Sequence, residues 1–363
     1  MLYYIEDSVV EAAENGNTIV RHCLSDLYYC WSKGFCIIGS SRSNLDRLVK
    51  VNGLESYAFV QKTVQGIQYL YSELAFFVVL IYKENKGHPM SCYANKYREI
   101  DICSLKSILN ISLNFIVCEN VSDFDFYICM TEKINENLYN QNFHINVLPF
   151  NGGGSTTVVS LKHVKDYFCL TICDSDIKYE GCKRGNTCKD IFDYVSSLRM
   201  SGKNNIWMHT LTVHEAENLI PFGVLKKISP KGVIKQITNI KSKNYGDTFL
   251  SYFDFKEGFK ESIYRKIKSL NDDVFIKYQK LLLDVGKKEA DLKRILKKKY
   301  SKGKDNCIIP GLGPSVLSDT ISYIDTNNVS CQDLAIDSYQ QKDLNEISSK
   351  IWSLGCAITP KYV

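Results

Sequence analysis

Two stretches decide how this chain is read: Leu113-Asn-Phe-Ile-Val-Cys-Glu119-Asn-Val-Ser-Asp123 and Tyr167-Phe-Cys-Leu-Thr-Ile-Cys-Asp174-Ser-Asp176. Each is a short apolar run that ends on acids. A run of that length bounded by turn residues reads as a buried strand. Between them lies His144-Ile-Asn-Val-Leu-Pro-Phe150, read as one strand ending at Asn151-Gly-Gly-Gly154. Beyond them Asn205 to Thr212 is a fourth, ending at His214-Glu-Ala-Glu-Asn218. Helical spacing follows the first three. One helix is expected from a Ser122 cap to about residue 138, one from a Ser155 cap to about residue 165, and one from Thr187 to about Met200. Strands alternating with helices predict βαβ units and a largely parallel sheet. In such sheets ligands sit beyond the carboxyl ends of the strands. Glu119, Gly152 to Gly154, Asp174, Asp176, Glu215 and Glu217 all fall there.

The acids carry the chemistry. Two carboxylates spaced by two at a strand end are expected on one face. They repel unless a cation lies between them. Hard divalent cations take oxygen ligands, and Mg²⁺ keeps several waters beside one or two carboxylates. Glu119 ends a neighbouring strand and Asp123 lies one turn into the next helix. Glu119, Asp123, Asp174 and Asp176 together suit one or two Mg²⁺ or Mn²⁺ ions, as in two-metal phosphoryl transfer. The plainer reading is strand-end caps and solvated acids. Lys178, Lys183 and Arg184 reach phosphate oxygens or are solvated loop charges. Gly152, Gly153 and Gly154 form an anion nest or a simple tight turn. His209, inside an apolar strand, reads as core. His214 sits beside the acids and is a weaker candidate for a metal ligand.

Glu119-Asn-Val-Ser-Asp123, Gly152-Gly-Gly154, Asp174-Ser-Asp176 and His214-Glu-Ala-Glu-Asn-Leu219 together resemble a Toprim domain, most closely the OLD-type Toprim nucleases of bacterial anti-phage systems. The resemblance covers about residues 110 to 222. It implies a Toprim-like Rossmannoid α/β domain and Mg²⁺- or Mn²⁺-dependent cleavage of phosphodiester bonds in DNA or RNA, tRNA included. Glu119 would be general acid/base or metal ligand, Asp174 and Asp176 metal ligands, Asp123 the second acid of the motif, and Glu217, with Glu215 a weaker candidate, a further metal contact or else an acid complementing a helix N-terminus. Glycine usually follows the first Glu; here Asn120 does. OLD proteins often carry an ATPase, yet this chain has no GxxxxGK[ST], so any ATPase would be a separate defence subunit. The alternatives are a Toprim-like interaction or sensor subunit that does no chemistry, and a primase-like polymerase.

The flanks frame this domain. The chain has 363 residues, with 45% apolar and 23% charged residues, which excludes disordered and collagen-like classes. Residues 1–108 are expected to be an α+β cap or interaction domain. Within it, helices are expected over Ile5 to Ala13, Ile19 to Trp31 and 60–70, with a buried strand over 75–82. Residues 223–363 are expected to be mainly helical and basic. Helical spacing runs from Phe255 to Leu283 and on to residue 300, and two further helices follow after Ser315. Net charge is only +5, but Lys287 to 304 holds nine basic residues against two acids. Lys293, Arg294 and Lys297 in that block are expected to hold a nucleic-acid backbone, or to form a solvated helix face. No apolar run approaches the ~20 residues of a membrane span. The N-terminal acids do not fit a signal peptide. A cytoplasmic protein is expected, with its 14 cysteines reduced. Cys182 and Cys188 lack the second pair that a zinc finger needs.

Overall fold

The first deciding stretch forms a strand, Asn114–Cys118, and the second forms Phe168–Cys173; the two are parallel neighbours. The computed structural model describes residues 1–67, 78–83, 97–105, 113–136, 143–201, 205–297 and 305–358. In chain order the strands are β1 (Leu2–Ile5), β2 (Ile37–Ser40), β3 (Val78–Tyr82), β4 (Tyr97–Asp101), β5 (Asn114–Cys118), β6 (Phe143–Ile145), β7 (Leu148–Asn151), β8 (Phe168–Cys173), β9 (Ile206–Thr210), β10 (Gly258–Lys260), β11 (Cys307–Pro310) and β12 (Cys356–Ile358). The helices of the first two-thirds are α1 (Asp7–Glu14), α2 (Thr18–Ser32), α3 (Arg42–Leu48), α4 (Tyr57–Ile67), α5 (Val121–Ile134), α6 (Thr157–His163) and α7 (Asn186–Met200). Then come α8 (Phe222–Ile228), α9 (Lys231–Lys241), α10 (Gly246–Ser251), α11 (Glu261–Leu270), α12 (Asp272–Asp284), α13 (Glu289–Lys297), α14 (Val316–Thr326) and α15 (Ser338–Gly355).

Among the described residues two four-stranded sheets organise the chain, and all their strands are parallel. Their orders are β2-β1-β3-β4 and β7-β5-β8-β9. Both have the same pattern: the first strand of each set lies inside, beside the third, with the second on its outer flank. From β5 the chain turns to one side, through α5 to β7. From β8 it turns to the other, through α7 to β9. The sheet therefore has a topological switch point between β5 and β8, the usual place for a ligand.

The second sheet is covered on both faces, as parallel sheets require. Val117, Cys169 and Cys173 pack with Leu161 of α6 and Ile191 and Val195 of α7. Ile116, Cys118, Leu170 and Ile172 face the other way and join the main core with Phe126, Tyr127 and Met130 of α5 and Ile351 of α15. At about 25 cal/mol per Å² of apolar surface, fully burying each such side chain is worth roughly 1.5–3 kcal/mol. Asp343 fastens α15 to the end of β9. Its carboxylate accepts from Thr212 N–H at 2.8 Å, Thr212 Oγ1 at 2.7 Å and His209 Nε2 at 3.2 Å. The other His209 nitrogen faces Lys350 Nζ at 2.7 Å. His209 is thus a core residue.

Several expectations are corrected. The N-terminal region is α/β, since its sheet is wholly parallel. It opens with β1, and the helix read from Ile5 to Ala13 is present as α1 but starts at Asp7, because a short run of continuously apolar residues does not distinguish strand from helix. Ser122 is not a cap: Asn120 occupies that position. Ser155 lies within a 3₁₀ turn, Gly154–Thr156, that precedes α6. The single strand read over 144–150 divides in two. β6 pairs antiparallel with β12, and β7 alone joins the parallel sheet. β7 is an edge strand, which is where Pro149 is tolerated. The helix read from Phe255 starts only at Glu261, after β10, which pairs with β11. The expected helix ends near 70, 138 and 300, and the start of the strand read from 75, lie outside the described residues. Among the described residues no helix is long and apolar enough to cross a membrane.

Candidate metal centre and adjoining cleft

β5 carries the chain to Glu119 at the switch point. Directly after it, Asn120 and Asp123 form a capping box on α5, with Asp123 Oδ2 accepting from Asn120 N–H at 2.9 Å. This explains why Asp123 is buried at 4% exposure. Asn120 has φ −129°, ordinary extended backbone, so nothing at this position demands glycine.

The glycine turn wraps around Glu119. Gly152 N–H donates to Cys118 O at 2.7 Å and Gly153 N–H to Glu119 O at 3.0 Å. Those two amides are committed, so of the two readings of Gly152, Gly153 and Gly154, anion nest or tight turn, the hydrogen bonds favour the tight turn. Its use is close approach: a Cβ on Gly154, at φ +60°, would lie 3.3 Å from Glu119 Oε1.

β8 ends at Cys173, and the next residues leave the strand. Asp176 has φ 55°, a left-handed conformation. The same-face argument for Asp174 and Asp176 therefore does not apply; a turn brings them together. Buried Ser175 holds that turn. Its hydroxyl donates to Val213 O and accepts from Ile177 N–H at 3.2 Å. Asp176 N–H donates to His214 O at 3.1 Å, and Gly185 N–H to Ser175 O at 2.9 Å. A Cβ on Gly185 would fall 2.1 Å from Asp176 Oδ2. Glu119, Asp174 and Asp176 line one small cavity, with Thr157 of α6 and Thr187 and Ile191 of α7.

Electrostatics ties these acids into one group. Burial raises the Asp174 pKa well above the usual carboxylate range, and Asp123, Glu217, Glu215 and Glu119 raise it further. Burial also raises Glu119, as do Asp123 and Asp176. Asp123 is raised by burial against the pull of the Asn120 hydrogen bond. Glu215 is pushed up to about 8 by burial and by Glu217, and Glu217 is itself raised by burial. Lys256, between α10 and β10, is the counter-charge. Its Nζ lies 2.8 Å from Glu217 Oε1 and 3.7 Å from Glu215 Oε2. Burial works against its charge, but Glu217 and Glu215 outweigh burial and raise its pKa. His214 is buried, and burial together with Lys178 lowers its pKa to about 4. It is a neutral imidazole at neutral pH.

Asp176 also borders an open cleft of about 650 Å³, lined by Lys178, Lys183, Arg184, Lys266 and Asn271 among others. One basic wall comes from the loop after β8 and the other from the end of α11. Lys293, Arg294 and Lys297 are exposed on α13 and do not line this cleft. Lys293 pairs with Glu289 at 2.7 Å and Arg294 with Asp291 at 3.3 Å, both within the helix. Lys266 lines the cleft although the sequence reading did not single it out. Nothing local distinguishes Lys266 or Lys256 in the sequence, since each reaches the site only through the packing of a later segment. The Cys188 sulfur donates to Thr210 Oγ1 at 3.6 Å. No family model matches the chain, and neither the curated proteins nor the solved structures contain a match to it.

Proposed function

We propose that the chain is a divalent-metal-dependent nuclease, a Toprim-like phosphodiesterase acting on DNA or RNA as an effector of bacterial anti-phage defence. The observation that carries this reading is the meeting of Glu119, Asp174 and Asp176 around one cavity at the β5/β8 switch point, with a basic cleft opening from Asp176. The order agrees with the Toprim resemblance: Glu after the first strand, the glycine turn after the second, the DxD after the third.

The residues fit a cation on their chemistry. Buried carboxylates whose pKa values are raised by one another form a site short of positive charge, and Glu217 Oε2 is buried without a hydrogen-bond partner among the described residues. Glu119, Asp174, Asp176 and Glu217 would hold it, with Asp123 in support. When bound, Mg²⁺ or Mn²⁺ supplies charge neutralisation at the phosphoryl and leaving oxygens. Lys178, Lys183, Arg184 and Lys266 hold the nucleic-acid backbone through sequence-independent, salt-sensitive contacts. Glu119, with a raised pKa, takes a proton from attacking water or returns one to the leaving oxygen. The turn at Gly154 keeps its carboxylate in position.

The rival reading, an inactive interaction subunit, rests on Asn120 standing where the resemblance expects glycine. As an ordinary helix cap, Asn120 gives it little support. The test is cleavage of plasmid and tRNA with Mg²⁺ or Mn²⁺. Wild type is expected to cleave, and Glu119→Gln and Asp174→Asn to lose at least 100-fold. Absence of metal-dependent cleavage by wild type on both substrates, alone and with its co-purifying partners, overturns the proposal.

A further inference from the structure

Outside the Glu119 cavity, the loop between α10 and β10 meets the segment after β9 at three potential ligands: His214, Glu215 and Asp254. One ligand atom of each lies within 4.8 Å of the others. We propose that these residues form a second divalent-cation site, of mixed nitrogen and oxygen character, which takes a first-row transition cation such as Mn²⁺ in preference to Mg²⁺.

Two unsatisfied atoms point to a ligand. His214 is 4% exposed, and its Nδ1 is buried with no hydrogen-bond partner among the described residues. Glu215 Oε1 is likewise buried and unpartnered. Lys256 does not remove this deficit, because it faces the other oxygen, Oε2, at 3.7 Å and lies closer to Glu217. A buried polar atom left unpaired costs about 1–3 kcal/mol, so two of them beside the Asp254 carboxylate call for an occupant. Two ligands ~2.1 Å from one cation lie roughly 3–4 Å apart, so the group needs only a small contraction to close on an ion.

The frame is fixed by hydrogen bonds that leave the ligand atoms free. His214 N–H donates to Ser251 O at 2.9 Å, and Gly258 N–H to Asp254 O at 2.7 Å. Asn218 Nδ2 donates to Leu250 O at 2.7 Å and to Phe253 O at 2.8 Å. Glu257 N–H donates to Asp254 Oδ1 at 2.6 Å, which leaves Oδ2 for a ligand. The donor set separates this site from the first. The all-carboxylate cavity suits Mg²⁺, whereas an imidazole nitrogen favours transition cations. Any role in phosphodiester cleavage rests on the nuclease reading; the cation site itself does not.

The test counts Mn²⁺ bound to the full chain by equilibrium dialysis, with the free ion read by electron paramagnetic resonance, in the absence and presence of excess Mg²⁺. Wild type is expected to keep one Mn²⁺ that Mg²⁺ does not displace. His214→Gln and Asp254→Asn should each weaken that ion at least tenfold, with metal-free melting curves like that of wild type. Glu119→Gln should retain it while losing the Mg²⁺-displaceable ion. The proposal is overturned if wild type holds no Mg²⁺-resistant Mn²⁺, in which case water fills the pocket, or if neither His214→Gln nor Asp254→Asn weakens it. If the Mg²⁺-displaceable ion is missing and the resistant one present, the nuclease reading fails and this site stands.

Discussion

Glu119 and Lys256 mark the two ends of what the sequence discloses at the scale of single residues. Glu119, Asp174 and Asp176 are legible because each follows an apolar run, and strand ends in a parallel sheet converge. Lys256 is not, because its place beside Glu217 and Glu215 comes from a distant loop folding back. The two ends predict opposite stability effects. Glu119→Gln removes a charge that its neighbours repel, so it should melt no lower than wild type while cleavage falls; calorimetry and the cleavage assay check the pair. Lys256→Met leaves Glu217 buried without its cation and should cost about 3 kcal/mol in denaturant unfolding. Adding Glu217→Gln to Lys256→Met should recover much of that loss. If it recovers none, the ion pair is not what Lys256 contributes.

At the scale of elements, strand and helix periods and the Gly152–Gly154 turn are readable, while the caps and the turn after β8 are not. Ser122 has the chemistry of a cap, but Asn120 with Asp123 satisfies two backbone donors at once, and the reciprocal pair wins. The run over 144–150 concealed two strands because apolar content does not reveal which partner each half pairs with. Asp174 and Asp176 meet through a left-handed turn, which strand periodicity does not contain. Gly185→Ala isolates that turn. Gly185 has φ −64°, so alanine brings no backbone strain, yet its Cβ must displace the Asp176 carboxylate. Metal-dependent cleavage should drop at least tenfold with the melting temperature little changed. Unchanged cleavage would remove Asp176 from the site.

Over the whole molecule, the two sheets share one strand order although their sequences display no repeat, because packing a right-handed βαβ path constrains topology more than residue identity does. The α/β character of the first sheet was hidden for that reason. The assembled acids also set a pH dependence. Glu215 is raised to about 8 in the fold against an ordinary 4.5. Its stabilising share is complete below the unfolded value and is lost as pH rises through about 8. A cation replaces the missing protons, so Mn²⁺ should raise the melting temperature more at about pH 8 than at about pH 5.5. An equal shift at both would detach the cation from these acids. The cleft makes a separate demand. Replacing Lys183, Arg184 and Lys266 together by Ala should reduce the log–log salt slope of nucleic-acid binding by about 2–3.

The claim on which the rest stands is that strand ends far apart in the chain share one divalent ion. The most direct measurement is an anomalous difference map from a crystal of the full chain soaked in Mn²⁺. A peak roughly 2–2.3 Å from carboxylate oxygens of both Glu119 and Asp174 is the predicted result. A well-ordered site with no peak between those two carboxylates contradicts it.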